Sequence, residues 1–229
     1  VGAFIGFGMI QWLGYRGTDD TWQPVISTWF VLFVVLVVAM TGTAGLGVAI
    51  ERFAYRPLRN APRIAPLISA LGVSFFIAYS MQLMFGSQQR DYNAFGIEDG
   101  KLFLEGFNIG NVRVPLLRIV IIVSAFALMI VLWLLVTRTR TGKAMRATSF
   151  DREAAAMMGI DIDRVIVFTF VLGSALAGAA GVMFSLRAPA SVTMGFIAGL
   201  KGFTAAVIGG IGSIPGAMGG GLILGLAEA

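Results

Sequence analysis

The chain contains no cysteine and no histidine. Without cysteine there is no disulfide framework and no thiolate to act as nucleophile or metal ligand. Without histidine the usual general base near neutral pH and the commonest metal ligand are gone. Charge is scarce as well: Asp, Glu, Lys and Arg make up 13% of the 229 residues, where soluble domains carry about one quarter. That shortage excludes a soluble globular domain, because the chain could not cover its surface with polar groups. The pattern G-x-x-x-x-G-K-[ST] occurs nowhere, so the chain has no P-loop of its own for ATP.

Apolar residues are abundant, at 57% of the chain, with a mean hydropathy of +0.86. They fall in runs long enough to cross a bilayer, which takes about 20 residues of helix. Runs 25–50, 64–85 and 165–186 hold no charge, and 115–136 holds only Arg118, near one end. Run 203–227 is a fifth, rich in glycine, and 1–13 reads as the tail of a span whose beginning is missing. None alternates as barrel strands do, so backbone groups in lipid must be satisfied within helices. The expectation is an all-α, polytopic integral membrane helical bundle. It has about five complete spans plus a truncated N-terminal one, in a single transmembrane domain over residues 1–229. Charged residues inside the spans, the usual mark of proton relays and ion-coupled carriers, are missing. The chain therefore reads as a conduit without its own motor.

Charge placement gives direction. Loop 51–63 holds Arg52, Arg56, Arg59 and Arg63, and loop 137–164 holds Arg138, Arg140, Lys143, Arg146, Arg152 and Arg164. Between them lie acidic-leaning loops, 14–24 with Asp19 and Asp20, and 86–114 with Asp91, Glu98, Asp99 and Glu105. By the positive-inside rule the two basic loops are cytoplasmic. The same asymmetry accounts for the net charge of +5, which is no argument for nucleic acid.

Loop 137–164 is long for a helix connection and has helical character of its own. Thr148 and Asp151 have capping-box spacing, with Asp in place of Glu or Gln. Ala154, Met157 and Met158 give a short apolar face, and Gly159 supplies a C′ stop. Such an amphipathic helix is either a basic anchor on anionic headgroups or a handle for another protein. The glycine-rich end also has two readings. Spacings at Gly195/Gly199, Gly212/Gly216/Gly220 and Gly221/Gly225 fit close helix packing. Alternatively, Gly209-Gly210-Ile211-Gly212-Ser213-Ile214-Pro215-Gly216 interrupts the helix and offers free helix ends and nearby hydroxyls to a substrate.

Two features point to less. The triplet Asn60-Ala61-Pro62 spells an aquaporin signature, but it stands once, in a basic loop, so a water pore is not expected. Trp12, Tyr15, Trp22 and Trp29 flank the first polar loop as an interfacial belt would. In loop 86–114, Gly/Asn turns and alternation over 101–107 predict a small hairpin. Its acidic residues are candidate contacts for a basic partner or merely solvated.

Several stretches resemble the permease subunits of the branched-chain amino acid ABC importer family. They are Ile50-Glu51-Arg52-Phe53-Ala54-Tyr55-Arg56-Pro57-Leu58-Arg59, then Gly142-Lys143-Ala144, Arg146-Ala147, Ala154-Ala155 and Gly159-Ile160. The longest is Lys201-Gly202-Phe203-Thr204-Ala205-Ala206-Val207-Ile208-Gly209-Gly210-Ile211-Gly212-Ser213-Ile214-Pro215-Gly216-Ala217. The likeness is nearest to the H-type permeases of the leucine/isoleucine/valine system. It implies a non-enzymatic translocation subunit in the bacterial inner membrane, carrying branched-chain or similar neutral amino acids. Implied partners are a second related permease, two cytoplasmic ATPase subunits that hold ATP and Mg, and a periplasmic amino-acid-binding protein. No cofactor, metal or catalytic residue is assigned to this chain. The helix in 137–164 becomes a coupling helix, with Lys143, Arg146, Ala147, Glu153, Ala154, Ala155 and Gly159 as ATPase contacts. Candidates for the translocation path are Thr204, Gly209, Gly210, Gly212, Ser213, Pro215 and Gly216. The competing expectation is a self-sufficient channel or secondary carrier for a small neutral solute such as urea or an amide.

Overall fold

A computed structural model describes residues 1–12, 28–58, 61–62, 64–86, 88, 107–109, 112–114 and 116–228. Tyr15, Asp19, Asp20, Trp22, Arg59, Asn60, Arg63, Asp91, Glu98, Asp99 and Glu105 lie outside the described residues. In chain order the helices begin with α1 (Gly2–Trp12) and α2 (Thr28–Ile50), which continues through a π turn (Glu51–Tyr55) and a 3-10 turn (Arg56–Leu58). Then come α3 (Ala65–Phe85), strands β1 (Phe107–Ile109) and β2 (Val112–Val114), and α4 (Leu116–Arg138). The chain continues with α5 (Arg140–Phe150), α6 (Arg152–Met157), α7 (Ile162–Ser185), α8 (Met194–Ile208) and α9 (Ile214–Ala227).

Four described helical stretches are long and apolar enough to cross a membrane: Phe30–Leu58, Ile68–Phe85, Arg118–Arg138 and Ile162–Ser185. They correspond to four of the apolar runs, and the all-helical membrane bundle is what the chain forms. The prolines act as punctuation. Pro57 sits in the 3-10 turn and Pro66 in the first turn of α3, where its missing N–H is no loss. The predicted hairpin is present as β1 and β2, antiparallel with Phe107 opposite Val114 and Ile109 opposite Val112. It lies later in the chain than the 101–107 alternation.

The fifth run departs from the expectation of one span. Residues 203–227 are not a continuous helix; they belong to α8 and α9, separated between Ile208 and Ile214. The backbone explains the break: Gly210 and Gly212 take φ of +87° and +100°, the left-handed region that ends a right-handed helix. Pro215 then opens α9. At 15 and 14 residues, α8 and α9 reach about 22 and 21 Å, short of the ~30 Å hydrocarbon core. Residues 194–202, ahead of that run, belong to α8 as well. Lys201, just ahead of that run, lies inside α8, one of the two shorter apolar helices.

The chain packs as two compact units. The first comprises residues 1–118 and 167–192. Its core is small-residue packing among α1, α2 and α7. Along α2 the buried positions recur every four residues, at Val31, Val35, Ala39, Thr43 and Gly47, and end on Glu51, which is only 2% exposed. A Cβ on Gly178 of α7 would strike the Thr43 hydroxyl and lie 2.8 Å from the Ala39 carbonyl oxygen. A Cβ on Gly2 would lie 2.7 Å from Gly178 Cα. Lipid supplies no hydrophobic drive between helices, so close backbone approach through small residues holds such a unit together. Aromatic contacts close it, Phe4 on Phe85 and Tyr55 on Phe170.

The second unit, residues 119–166 and 193–229, carries α4, α5, α6, α8 and α9, and with them the expected ATPase contacts and translocation-path candidates.

Candidate functional site

The first cluster is a helical knob at the end of α4. Thr139 takes extended backbone angles and caps α5, its hydroxyl accepting from the Gly142 N–H at 3.0 Å. Gly142 is buried where a Cβ would overlap the Leu135 and Val136 carbonyl oxygens, so α5 folds tightly against the end of α4. Arg146 donates from Nη2 to the Thr137 carbonyl oxygen at 3.2 Å, a basic group on the negative end of α4. Its guanidinium therefore has a contact within the chain.

The helix α6 is capped at both ends. Asp151 Oδ1 accepts from the N–H groups of Glu153 and Ala154, at 2.9 and 3.1 Å. The N-cap is thus Asp151 itself, and the expected box opening on Thr148 does not form. Thr148 instead is buried within α5, with no hydrogen-bond partner for its hydroxyl among the described residues. Spacing alone could not decide between the two, since both residues are good caps. At the other end Gly159 has φ +80°, as the expected C′ stop requires. Its N–H bonds the Ala156 carbonyl, and the Ile160 N–H bonds the Ala155 carbonyl, which is the paired pattern of a Schellman stop.

Side-chain placement within the knob was only partly foreseen. Lys143, Arg146, Ala147, Glu153 and Gly159 are exposed, and Ala154 is half-buried. Ala155, however, is 4% exposed and packs inward. The large apolar groups that face outward are Phe150, Met157 and Met158, at 94%, 82% and 83%.

The second cluster is the α8–α9 pair. Helix α9 folds back on α8: no Cβ fits on Gly220, which sits against the Ala205 carbonyl oxygen, nor on Gly209 or Gly216, whose backbones meet. The two readings of the glycine-rich end thus coexist, with Gly209, Gly216 and Gly220 packing and Gly210 and Gly212 breaking the helix. Ser213 is the N-cap of α9; its hydroxyl accepts from the Gly216 N–H at 3.1 Å. Thr204 is exposed and donates to the Lys201 carbonyl. Ser213 and Thr204 are therefore engaged locally, while Gly210, Gly212 and Pro215 remain exposed at the break. Composition did not single out one contact: Lys201 Nζ donates to Glu228 Oε2 at 2.6 Å. A lysine within an apolar helix was its one sequence signal.

Four described helical stretches long and apolar enough to cross a membrane fit an integral membrane protein. The chain belongs to the family described as branched-chain amino acid transport system / permease component, whose model matches residues 1–229. It is 40% identical to the high-affinity branched-chain amino acid transport system permease protein LivH of Escherichia coli K12, covering 100% of this chain and 72% of that protein. It is 37% identical to the corresponding permease protein BraD of Pseudomonas aeruginosa, with the same coverage. The fructose import permease protein FrcC of Rhizobium meliloti is 30% identical, over 82% of this chain and 54% of its own length. No solved structure matches.

Proposed function

We propose that this chain is the permease subunit of an ABC importer and forms the path for branched-chain or similar neutral amino acids across a bacterial inner membrane. Family membership carries the class, and the names of its relatives at about 40% identity carry the cargo. Loops 51–63 and 137–164 face the cytoplasm, in keeping with their basic charge. The α5–α6 knob is the site that meets an ATPase subunit. Its support is its architecture: a short helix closed by Asp151 and Gly159, pinned to α4 by Arg146, with apolar Met157 and Met158 exposed on its surface. Large exposed apolar side chains on a polar element mark protein contacts. The chain performs no chemistry itself; two ATPase partners bind ATP and Mg. A second related permease completes the path, and a periplasmic binding protein delivers the cargo. Lipid surrounds the helices, and nucleic acid has no part.

Co-purification with candidate ATPase subunits, followed by leucine uptake into proteoliposomes with and without ATP, tests this. ATP-dependent uptake by a complex containing both kinds of subunit is expected. Equal uptake by the chain alone would establish the channel or secondary carrier instead.

A further inference from the structure

Between Met194 and Ala227 the sequence contains a single charged residue, Lys201. It lies about 10 Å along α8 from its first residue, at 1.5 Å per residue. Its ammonium pairs with Glu228, just past the end of α9, and the two side chains are 51% and 47% exposed. A half-exposed ion pair on an apolar helix pair is costly against acyl chains, so such a pair is better placed against protein or a water-filled cavity. Close backbone contacts at Gly209/Gly216 and Ala205/Gly220 also hold α9 on α8. Among the described residues the pair's one hydrogen bond uses a single ammonium proton and a single carboxylate oxygen. Two donors and one acceptor oxygen are left over.

We propose that Lys201 and Glu228 form a recognition site for the α-carboxylate and α-ammonium of a zwitterionic amino acid. The inference rests on the amino-acid permease function proposed above and assigns the residues that would read its cargo. The cargo exchanges with the internal pair: its carboxylate takes the Lys201 ammonium, and its ammonium takes the Glu228 carboxylate. One ion pair opens and two form, so no charge is left uncompensated in apolar surroundings, the state that costs most. An uncharged solute cannot drive this exchange. The apolar side chain of the cargo is left to the hairpin surface, where Ile197, one turn before Lys201, is 61% exposed.

The test uses the assembled complex in proteoliposomes, with tritiated leucine as probe. It compares wild type, Lys201→Met, Glu228→Gln and the exchanged pair Lys201→Glu/Glu228→Lys, with co-purified ATPase measured alongside. The wild type tests the permease function itself; without ATP-driven leucine uptake there, that function fails, whatever the pair does. Given wild-type uptake, each single variant is expected to slow saturated uptake at least about tenfold, the loss of a charge-assisted hydrogen bond. The exchanged pair is expected to assemble normally yet stay slow, because its charges are reversed along the route. Wild-type uptake by the exchanged pair, or by either single variant, overturns the proposal and leaves a structural latch. If none of these assembles, Lys201→Arg decides. A latch tolerates the guanidinium with normal uptake, whereas a site fitted to the cargo slows.

Discussion

Gly209 and Gly216 approach each other across the break between α8 and α9 so closely that the backbone of each fills the space of a Cβ on the other. Two helix ends are thus fixed side by side, with the exposed Gly210–Gly212 segment between them. Gly209→Ala or Gly216→Ala is expected to prevent the hairpin from closing, because the obstacle is backbone and cannot swing aside. Gly219→Ala on α9, where nothing lies within 4 Å, is the control. It is expected to be tolerated, with a gain of up to about 1 kcal/mol from helix propensity. Thermal melting of the purified protein in detergent separates the two cases. Equal melting of all three variants would contradict the packing described.

The same region shows what a sequence can and cannot disclose. Run length found the four helical stretches long and apolar enough to cross a membrane, because hydropathy and length are legible directly. It merged 203–227 into a fifth because hydropathy is blind to backbone direction. The spacing Gly212/Gly216/Gly220 looked like one packing stripe, yet Gly212 has φ +100° and turns the chain while the other two pack. Glycine serves both purposes, and only the partner backbone tells them apart. Likewise Thr148 and Asp151 are both capping residue types, and the fold chose the second.

Thr148 gives an independent check on the knob. Its buried hydroxyl has no hydrogen-bond partner among the described residues, so the polar group is a cost that a methyl group of the same shape removes. Thr148→Val is expected to be neutral or stabilising by up to about 1–2 kcal/mol. Asp151→Ala, which strips the cap from α6, is expected to cost about 1 kcal/mol. Amide hydrogen exchange over residues 140–160 reads both. Faster exchange in Thr148→Val would mean that the hydroxyl has a partner in the membrane-bound protein.

The packing of the first unit turns on Gly178. Its Cβ would meet the Thr43 hydroxyl and the Ala39 carbonyl, whereas Gly173, about one turn earlier on α7, faces open space. Gly178→Leu is expected to destabilise by at least about 1–3 kcal/mol through overpacking, and Gly173→Leu to be nearly silent. Yield of monodisperse protein from membranes, compared between the two, measures the difference.

Coupling to a motor is best tested on the outward face of the knob. Normal uptake in an Ala155→Arg variant at normal expression would sink the assignment of this knob. But Ala155 is 4% exposed, so Arg there would unseat α6 itself, and lost uptake would not separate docking from local unfolding. Met157 and Met158 are more than four-fifths exposed and touch the fold little. Met157→Asp and Met158→Asp are therefore expected to leave membrane insertion and hydrogen exchange in the knob unchanged. They should nevertheless weaken ATPase binding at least about tenfold, as loss of an apolar anchor at an interface does. ATP-driven uptake falls with it. Full ATPase retention and normal uptake in the double aspartate variant would show that the motor docks elsewhere, and the knob would then be a basic anchor resting on anionic lipid.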